Sequence, residues 1–178
     1  MITEFDNYKI GLLSERGGEA FYNLIDKNRA RLEDFFAGTV SKTRTLEDTL
    51  LYCDEIQKRI KSISYLPYMI TDVNTNEFIG LVDVKNIDMT VPKAELGSFI
   101  DSGYEGKGIV TKAINIVVDH IVKEYKFIKL LCRASSRNKG SIAVILKNGF
   151  ELEGTIRRDY KTTKGEIVDL NYYGRLFN

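Results

Sequence analysis

The segment that most limits how this chain can fold is a glycine-rich loop between a strand pattern and a long helix pattern. Asp101–Gly108 contains three glycines, and Ile109–Tyr125 behind it has the apolar spacing of an amphipathic helix. Apolar runs typical of strands, Ala94–Asp101 and Phe127–Cys132, lie on either side. A strand, loop, helix and second strand in this order predict a crossover between parallel strands. The segment therefore indicates a mixed α/β fold.

The rest of the chain also alternates between helix and strand patterns. Further strands are predicted at Tyr8–Leu13, Ser64–Thr71, Phe78–Ile87, Phe150–Tyr160 and Glu166–Leu176, and further helices at Glu19–Arg31, from Thr45 onward and at Lys139–Lys147. The three neighbouring strand patterns before the glycine-rich loop predict an antiparallel meander. Pro67 predicts an edge position or a bulge, because proline cannot donate to a ladder. No linker or repeat is visible, so we expect one mixed α/β domain over residues 1–178.

The composition is that of a globular protein with little attraction for charged polymers. Of 178 residues, 43% are hydrophobic and 29% are charged, and 26 Lys and Arg face 25 Asp and Glu for a net charge of +1. This balance excludes a disordered tail protein. It also leaves no strong field for nucleic acid or an anionic membrane, so we expect neither as a direct partner.

Two further features concern where the protein acts. No secretory leader pattern is visible at Met1–Asp6, and the longest apolar stretch, Ala113–Val122, is too short to cross a bilayer. Cys53 and Cys132 are too few for a disulfide framework. We therefore expect a cytoplasmic protein.

The single histidine narrows the chemistry. His120 lies among apolar residues of the long helix pattern, which favours a helix residue at the edge of the core. One imidazole excludes a multi-histidine metal centre, and the two cysteines lack the spacing of a zinc site. We therefore expect no metal and no serine–histidine–aspartate triad.

The glycine-rich loop is the first feature that points to a ligand. Gly106 and Gly108 permit positive φ, and their place before Ile109 aims unpaired amides and the positive end of a helix dipole at one spot. Such a spot suits phosphate. A nucleotide P-loop fits poorly, because Gly108 is followed by Ile109-Val110 instead of Lys and Ser or Thr. The dinucleotide fingerprint needs a different glycine spacing.

Four segments, taken together, make the loop more specific. They are Ala94–Gly97, Glu105–Thr111, Asn138–Ser141 and Lys147–Gly154. In this order and spacing they resemble the GNAT superfamily of acetyl-CoA-dependent N-acetyltransferases, and most closely its Rim-type branch, which acetylates N-terminal amines of ribosomal proteins. The resemblance implies a GNAT-like fold, with helices flanking a central, mostly antiparallel mixed sheet. It further implies that the central strands splay apart and that acetyl-CoA, the co-substrate, lies in the split.

The resemblance also implies which residues hold acetyl-CoA. It places main-chain contacts to the pantetheine arm along Leu96–Ile100, an oxyanion donor around Phe99 and Ile100, and a further pantetheine contact at Asn138. The diphosphate would be bound by the amides of one loop, namely Glu105, Gly106, Lys107, Gly108, Ile109, Val110 and Thr111. Glu105 and Val110 depart from the family pattern, and a carboxylate repels phosphate, so we expect Glu105 to point toward Lys107 or solvent. Four side chains could supply positive charge there: Lys107, Lys112, Arg133 and Arg137.

Three side chains are candidates for proton transfer. The resemblance makes Ser141 the proton donor to the departing thiolate, while the local pattern also fits a helix start capped by Asn138. Glu95 is one candidate base, with a surface-facing strand residue as the alternative. Asp159 is the other, because some Rim-type enzymes carry a glutamate base nearby, although Tyr160 could align there instead. Neither is required, since a peptide α-amine has a pKa of about 7.7–8.0 and a water chain would suffice.

The sequence leaves three interpretations of the group that would accept the acetyl. The leading interpretation is the N-terminal α-amine of a protein. Residues of the early helices and of the strand after them could line its pocket or could belong to the core, which is more usual at helical spacing, namely Tyr22, Leu32, Phe35, Phe36, Tyr65 and Tyr68. A polyamine, an antibiotic or another small amine would need an acidic groove, for which the candidates are Asp26, Glu33, Asp34, Glu47, Asp48 and Asp54. A third interpretation is a non-catalytic acyl-CoA-binding module. Edge strands and exposed tyrosines permit a homodimer but do not require one.

Overall fold

The fold is an eight-stranded sheet with helices on both faces. The computed structural model describes residues 3–178; Met1 and Ile2, where the segment considered for a leader begins, lie outside them. The strands are β1 (Thr3–Phe5), β2 (Tyr8–Leu12), β3 (Leu66–Asp72), β4 (Phe78–Asp88), β5 (Lys93–Ile100), β6 (Lys129–Ala134), β7 (Glu151–Lys161) and β8 (Ile167–Leu176). The helices are α1 (Gly18–Leu32), α2 (Ala37–Ser41), α3 (Leu46–Lys61), α4 (Ile109–Tyr125) and α5 (Lys139–Lys147). A 3₁₀ turn, Ser102–Tyr104, follows β5.

The pairing of the strands confirms the predicted topology. The strand order is β1-β2-β3-β4-β5-β6-β8-β7. Neighbouring strands are antiparallel except β5 and β6, which run parallel. The long helix α4 is therefore the predicted crossover, and β3, β4 and β5 form the predicted meander. The mixed α/β fold with a mostly antiparallel sheet follows the expectation from the sequence.

The two parallel strands stay together for only part of their length. Their ladder joins Lys93–Leu96 to Lys129–Cys132 and then stops. Beyond it, β5 continues to Ile100 beside β4, while β6 continues to Ala134 beside β8. The centre of the sheet is therefore split, as the resemblance implies.

Each face of the sheet is covered by its own helices. On one face, α4 buries Ile109, Ala113, Val117 and Ile121, which are spaced four residues apart along the helix. On the other face, α1 and α3 contribute a separate apolar cluster that includes Phe21. Together the two clusters enclose the strands and leave the split open between them.

The structure also bears on the single histidine, on membrane-spanning helices and on metal sites. The ring of His120 lies 5.9 Å from that of Tyr68, edge to face, on the flank of α4. Within residues 3–178, no helix has the length and apolar character that crossing a bilayer requires. Over the same residues, no group of His, Cys, Asp and Glu side chains is arranged to hold a metal ion.

Three short elements have no counterpart in the sequence-based prediction. They are β1, α2 and the 3₁₀ turn, of three, five and three residues respectively. Elements of this length are shorter than the window over which hydrophobic periodicity can be recognised. Their positions depend on the neighbours against which they pack.

Of the two alternatives that Pro67 predicts, the edge position is wrong, because β3 lies inside the sheet between β2 and β4. The strand does contain an irregular pairing, between Ile70 and Thr71, three residues beyond the proline. Opposite Pro67, the amide of Leu13 donates to the proline carbonyl at 2.9 Å. The Leu13 carbonyl, which proline cannot serve, accepts from Nε2 of Gln57 at 2.8 Å. A side chain of α3 therefore replaces the missing ladder hydrogen bond.

Helix α1 is bound to the end of β5 through a buried carboxylate. Asp101 is 2% exposed, and its Oδ2 accepts from Asn28 Nδ2 at 3.0 Å and lies 2.9 Å from Lys27 Nζ. Its Oδ1 accepts from the amide of Gly103 at 2.9 Å. Burial acts to raise the pKa of Asp101, but the hydrogen bonds from Asn28, Lys27 and Gly103 outweigh it, and the pKa is lowered. The charged form of Asp101 is therefore the one that ties these elements together.

We predict that Asp101→Asn destabilises the fold in a pH-dependent way. A carboxyl group with a lowered native pKa stabilises the fold above its unfolded pKa of about 3.9, and this stability is lost as the pH falls through the native value. At pH 7 the variant should lose about 1–3 kcal/mol in urea unfolding, and the difference should shrink below about pH 4. Asp119→Asn, at an exposed position of α4, is the control. A deficit that is the same at both pH values would contradict the role given to the charge.

Candidate active site

A cavity of about 630 Å³ opens where β5 and β6 part. Its floor is the segment Leu96–Ile100 of β5, and its walls come from the starts of α4 and α5 and from the end of α1. This volume lies in the range of about 300–1,000 Å³ that is usual for small-molecule and cofactor sites. The split in the sheet is therefore large enough for a ligand.

The floor of the cavity presents unpaired backbone groups. The amide of Asp101 donates to Ile79 at 2.7 Å, and the regular β4–β5 register makes alternate residues face β4. By this alternation the N–H and C=O groups of Phe99 face β4, whereas those of Ser98 and Ile100 face the split. Of the two residues predicted for the oxyanion donor, Ile100 and not Phe99 therefore has an amide that faces the split. Ser98, inside the predicted contact segment Leu96–Ile100, faces the split as well. The Phe99 ring packs against Phe36, 5.1 Å between centres.

The glycine-rich loop has the geometry expected of a phosphate site. Gly106 and Gly108 have φ values of +73° and +74°, and Gly108 directly precedes α4. The first helical amide that bonds within α4 is that of Lys112, which donates to the Gly108 carbonyl at 3.1 Å. The amides of Ile109, Val110 and Thr111 therefore have no partner in the helix and lie at its positive end. The loop residues that line the cavity are Glu105, Gly106, Gly108, Ile109, Val110 and Thr111.

Three of the predicted phosphate cations are engaged elsewhere. They are Lys107, Lys112 and Arg137, and their partners are the Gly103 carbonyl at 3.0 Å, Asp6 at 2.7 Å and Glu166 at 2.7 Å, in that order. The ammonium of Lys107 also lies 4.9 Å from the centre of the Tyr104 ring. The side chain of Lys107 is thus turned away from the cavity that its neighbours line.

Glu105 has a partner that the sequence did not indicate. Its carboxylate pairs with the guanidinium of Arg31, at the end of α1, and both side chains line the cavity. The same guanidinium donates to Oδ1 of Asn28 at 3.0 Å and to the carbonyl of Ile100 at 3.4 Å. Glu105 therefore does not pair with Lys107, because a cation from a distant part of the chain reaches it, while its side chain stays 54% exposed to solvent.

The start of α5 brings the predicted serine to the cavity. Asn138 is the N-cap, and its Oδ1 accepts from the amide of Ser141 at 3.0 Å, so the capping role is present. Both residues also line the cavity. Among the residues that the structure describes, no side chain or backbone group bonds the Ser141 hydroxyl. The hydroxyl is therefore free to bond a ligand.

The two candidate bases meet at one guanidinium. Glu95 is 8% exposed and lines the cavity; its Oε1 accepts from Arg133 Nε at 2.9 Å and its Oε2 from Asn86 Nδ2 at 2.9 Å. It is therefore not the surface-facing residue given above as the alternative. Asp159 accepts from the Tyr172 hydroxyl at 2.7 Å and lies 3.7 Å from Arg133. Tyr160, and not Asp159, is among the cavity-lining residues.

The surroundings of this cluster change several pKa values. Burial acts to lower the pKa of Arg133, but the neighbouring Glu95 carboxylate outweighs it and the pKa is raised. Burial raises the pKa of the Tyr172 phenol, and its hydrogen bond to Asp159 raises it further. Burial also raises the pKa of the Cys132 thiol well above its usual range. Cys132 is therefore a neutral thiol and a poor nucleophile.

The remaining wall of the cavity is mainly apolar. Leu32, Phe35, Phe36 and Tyr160 line it, whereas Tyr22 does not. The other two tyrosines considered for the acceptor, Tyr65 and Tyr68, are 4% and 0% exposed and belong to the core. The six acids considered for a polyamine groove are not among the residues that line the cavity.

Charge on this wall is close to balanced. The ammonium of Lys85 lies 3.6 Å from Asp83 Oδ1 and 3.9 Å from Glu95 Oε1.

Asp83 is 3% exposed and lies over Gly97, where a Cβ would overlap its carboxylate. A larger residue at Gly97, where the split begins, would therefore have to displace the buried Asp83 side chain.

Comparison with known proteins agrees with this geometry. The acetyltransferase (GNAT) domain family matches residues 18–151. The probable N-acetyltransferase YjcK of Bacillus subtilis (strain 168) is 30% identical over 139 residues, 78% of this chain and 77% of its own. The ribosomal-protein-serine acetyltransferase of Escherichia coli (strain K12) is 26% identical over 103 residues, 58% of this chain and 57% of its own. The spermidine N(1)-acetyltransferase of that strain is 29% identical over 84 residues, 47% and 45% of the two chains.

The same fold occurs among solved structures. The crystal structure of ribosomal-protein-S5-alanine acetyltransferase from Vibrio fischeri has a TM-score of 0.90 at 22% identity, covering 98% of this chain and 95% of its own. The family match spans most of the chain and includes the split and the glycine-rich loop. The chain therefore belongs to the acetyltransferase (GNAT) family, and it is an acyltransferase whose co-substrate is acetyl-CoA.

Proposed function

We propose that this protein acetylates the N-terminal α-amine of a protein, with ribosomal proteins as the first candidates. The observation that carries the proposal is the acceptor wall of the cavity, which is mainly apolar and close to charge balance. Such a wall suits a chain end with one positive charge better than a polycation. Two proteins with names of ribosomal-protein acetyltransferases, one similar in sequence and one in structure, support the same acceptor class.

The proposed acetyl-CoA site uses backbone groups more than side chains. The amides of Gly106 and Gly108–Thr111 are proposed to bind the diphosphate, and Asn138 the pantetheine arm. The open N–H and C=O groups of Ser98 and the open N–H group of Ile100 complete the site along the floor. Acetyl-CoA supplies an activated thioester carbonyl, and the Ile100 amide is proposed to donate to its oxygen. Backbone donors fit this task because they are fixed before the ligand arrives.

Proton transfer is assigned to two side chains. Ser141, which lines the cavity, is proposed to donate a proton to the departing thiolate. Glu95 is proposed to take the proton of the amine, because it lines the cavity. The proton is proposed to pass through water, because both carboxylate oxygens of Glu95 are already hydrogen-bonded. Asp159 is proposed to hold Tyr172 and Arg133 in place. Since an α-amine has a pKa of about 7.7–8.0, a modest base is sufficient.

A small-amine acceptor is the second candidate function. Its support is the similarity to a spermidine acetyltransferase over 84 residues. The position of the six acids, outside the cavity lining, argues against a groove for several ammonium groups. Membership of an acetyltransferase family argues against the third alternative, a non-catalytic acyl-CoA-binding module.

Compartment and assembly stay predictions. Cys53 and Cys132 are both free and buried, which is compatible with the reducing cytoplasm in which ribosomal proteins are made. Strand β7 forms an edge of the sheet and is exposed along Glu151–Arg158, so a second copy could pair there as a homodimer.

We predict that the enzyme acetylates peptides with a free N-terminus and leaves spermidine almost unchanged. Release of CoA thiol with acetyl-CoA should be fast for a peptide with a free α-amine, and slow for the same sequence with a blocked N-terminus and an internal lysine. Mass spectrometry of the product should locate one acetyl group on the α-amine. Faster turnover of spermidine than of every peptide would overturn the proposed acceptor.

Ser141→Ala should lower kcat by about 100-fold, a usual size for loss of a general acid. The affinity for CoA should change little, because the hydroxyl is proposed to act on the leaving group. Steady-state kinetics with the best peptide, together with calorimetry of CoA binding, separate the two effects. Ser136→Ala, at an exposed position before α5, is the matched control. A variant with unchanged kcat would remove Ser141 from the mechanism.

A further inference from the structure

A carboxylate at the diphosphate loop is the feature that the proposed function leaves unexplained. Glu105 opens the loop whose amides meet the phosphates, and its side chain lines the same cavity. Two negative groups at close range in a partly buried site repel each other. A binding site of this kind needs a cation that offsets both.

The contacts of the basic side chains select one cation for this role. Lys107, Lys112 and Arg137 are bound to other groups, as described above. Lys85 and Arg133 line the cavity but contact Glu95, on the acceptor wall. Lys147 also lines the cavity, from the last turn of α5. Only Arg31, among the described basic residues at the cavity, contacts the diphosphate loop itself.

The guanidinium of Arg31 is held at two of its nitrogens. Nη2 pairs with Glu105, and Nη1 donates to Asn28 Oδ1 and to the Ile100 carbonyl. The Arg31 side chain nevertheless stays 45% exposed, and Arg31 lines the cavity. An arginine fork offers five donors and is well suited to phosphate oxygens. Its orientation is fixed before any ligand binds.

We propose that Arg31 is a binding residue for the diphosphate of CoA and that Glu105 is the positioning residue that holds it there. The loop thus obtains its positive side chain from α1, across the fold, instead of from its own sequence. The positive charge of Arg31 offsets the negative charge of Glu105, so the repulsion between Glu105 and the phosphates is offset as well. The inference concerns CoA binding alone and does not depend on which amine is acetylated.

Calorimetry with CoA and with pantetheine tests the role of Arg31. Arg31→Gln should weaken CoA binding by about tenfold or more, the usual effect of losing a hydrogen bond to a charged group. Binding of pantetheine, which lacks the diphosphate, should be unchanged. Arg16→Gln, at an exposed position before α1, controls for the loss of one positive charge. Unchanged CoA binding, or an equal loss for pantetheine, would overturn the proposal.

Glu105→Ala, made in two backgrounds, tests the positioning role. In the wild-type background it should weaken CoA binding, because Arg31 loses its support. In the Arg31→Gln background it should strengthen CoA binding, because an unneutralised carboxylate is removed from beside the phosphates. This reversal of sign is the signature of coupling in a double-mutant cycle. Tighter or unchanged CoA binding by Glu105→Ala in the wild-type background would overturn the positioning role. Circular dichroism of each variant is the control for folding.

Discussion

The early end of the ladder between β5 and β6 is the constraint on which the rest of this structure depends. After four residue pairs the strands separate, and each keeps only its outer neighbour. Backbone groups that would otherwise be satisfied in a sheet then face a cavity, where they need a ligand or water. The site is thus a consequence of topology, because a crossover helix brings two parallel strands together and lets them part again.

Charged contacts lie on both sides of the split. On the acceptor side, Arg133 of β6 joins Glu95 of β5 and Asp159 of β7 through short polar contacts. On the diphosphate side, α1 is bound to the loop through Asp101 and through Arg31 with Glu105. Glu95 and Asp101 are buried, so removing the cation beside either carboxylate leaves a charge that is costly to accommodate. The Arg31–Glu105 pair is more exposed and contributes less to stability.

The sequence predicts local features well and distant pairings poorly. The glycine-rich loop, the cap at Asn138 and the long helices depend on neighbouring residues, so their patterns are visible in the chain. The partner of Glu105 could not be predicted, because Arg31 lies 74 residues away along the chain. The distinction between Phe99 and Ile100 depends on the β4–β5 register, which the pattern of one strand does not contain. The hydrogen bond from Gln57 of α3 to the Leu13 carbonyl, opposite Pro67, also joins distant parts of the chain, so no sequence pattern predicts it.

Amide hydrogen exchange measured by NMR, with and without CoA, tests the central claim most directly. In the free protein the amides of Ser98, Ile100 and Ile109–Thr111 should exchange rapidly, whereas that of Phe99, which faces β4, should exchange slowly. Addition of CoA should slow exchange at the open amides of β5 and of the loop and leave Phe99 unchanged. CoA binding without protection of these amides would contradict the account, because the co-substrate would then lie outside the split.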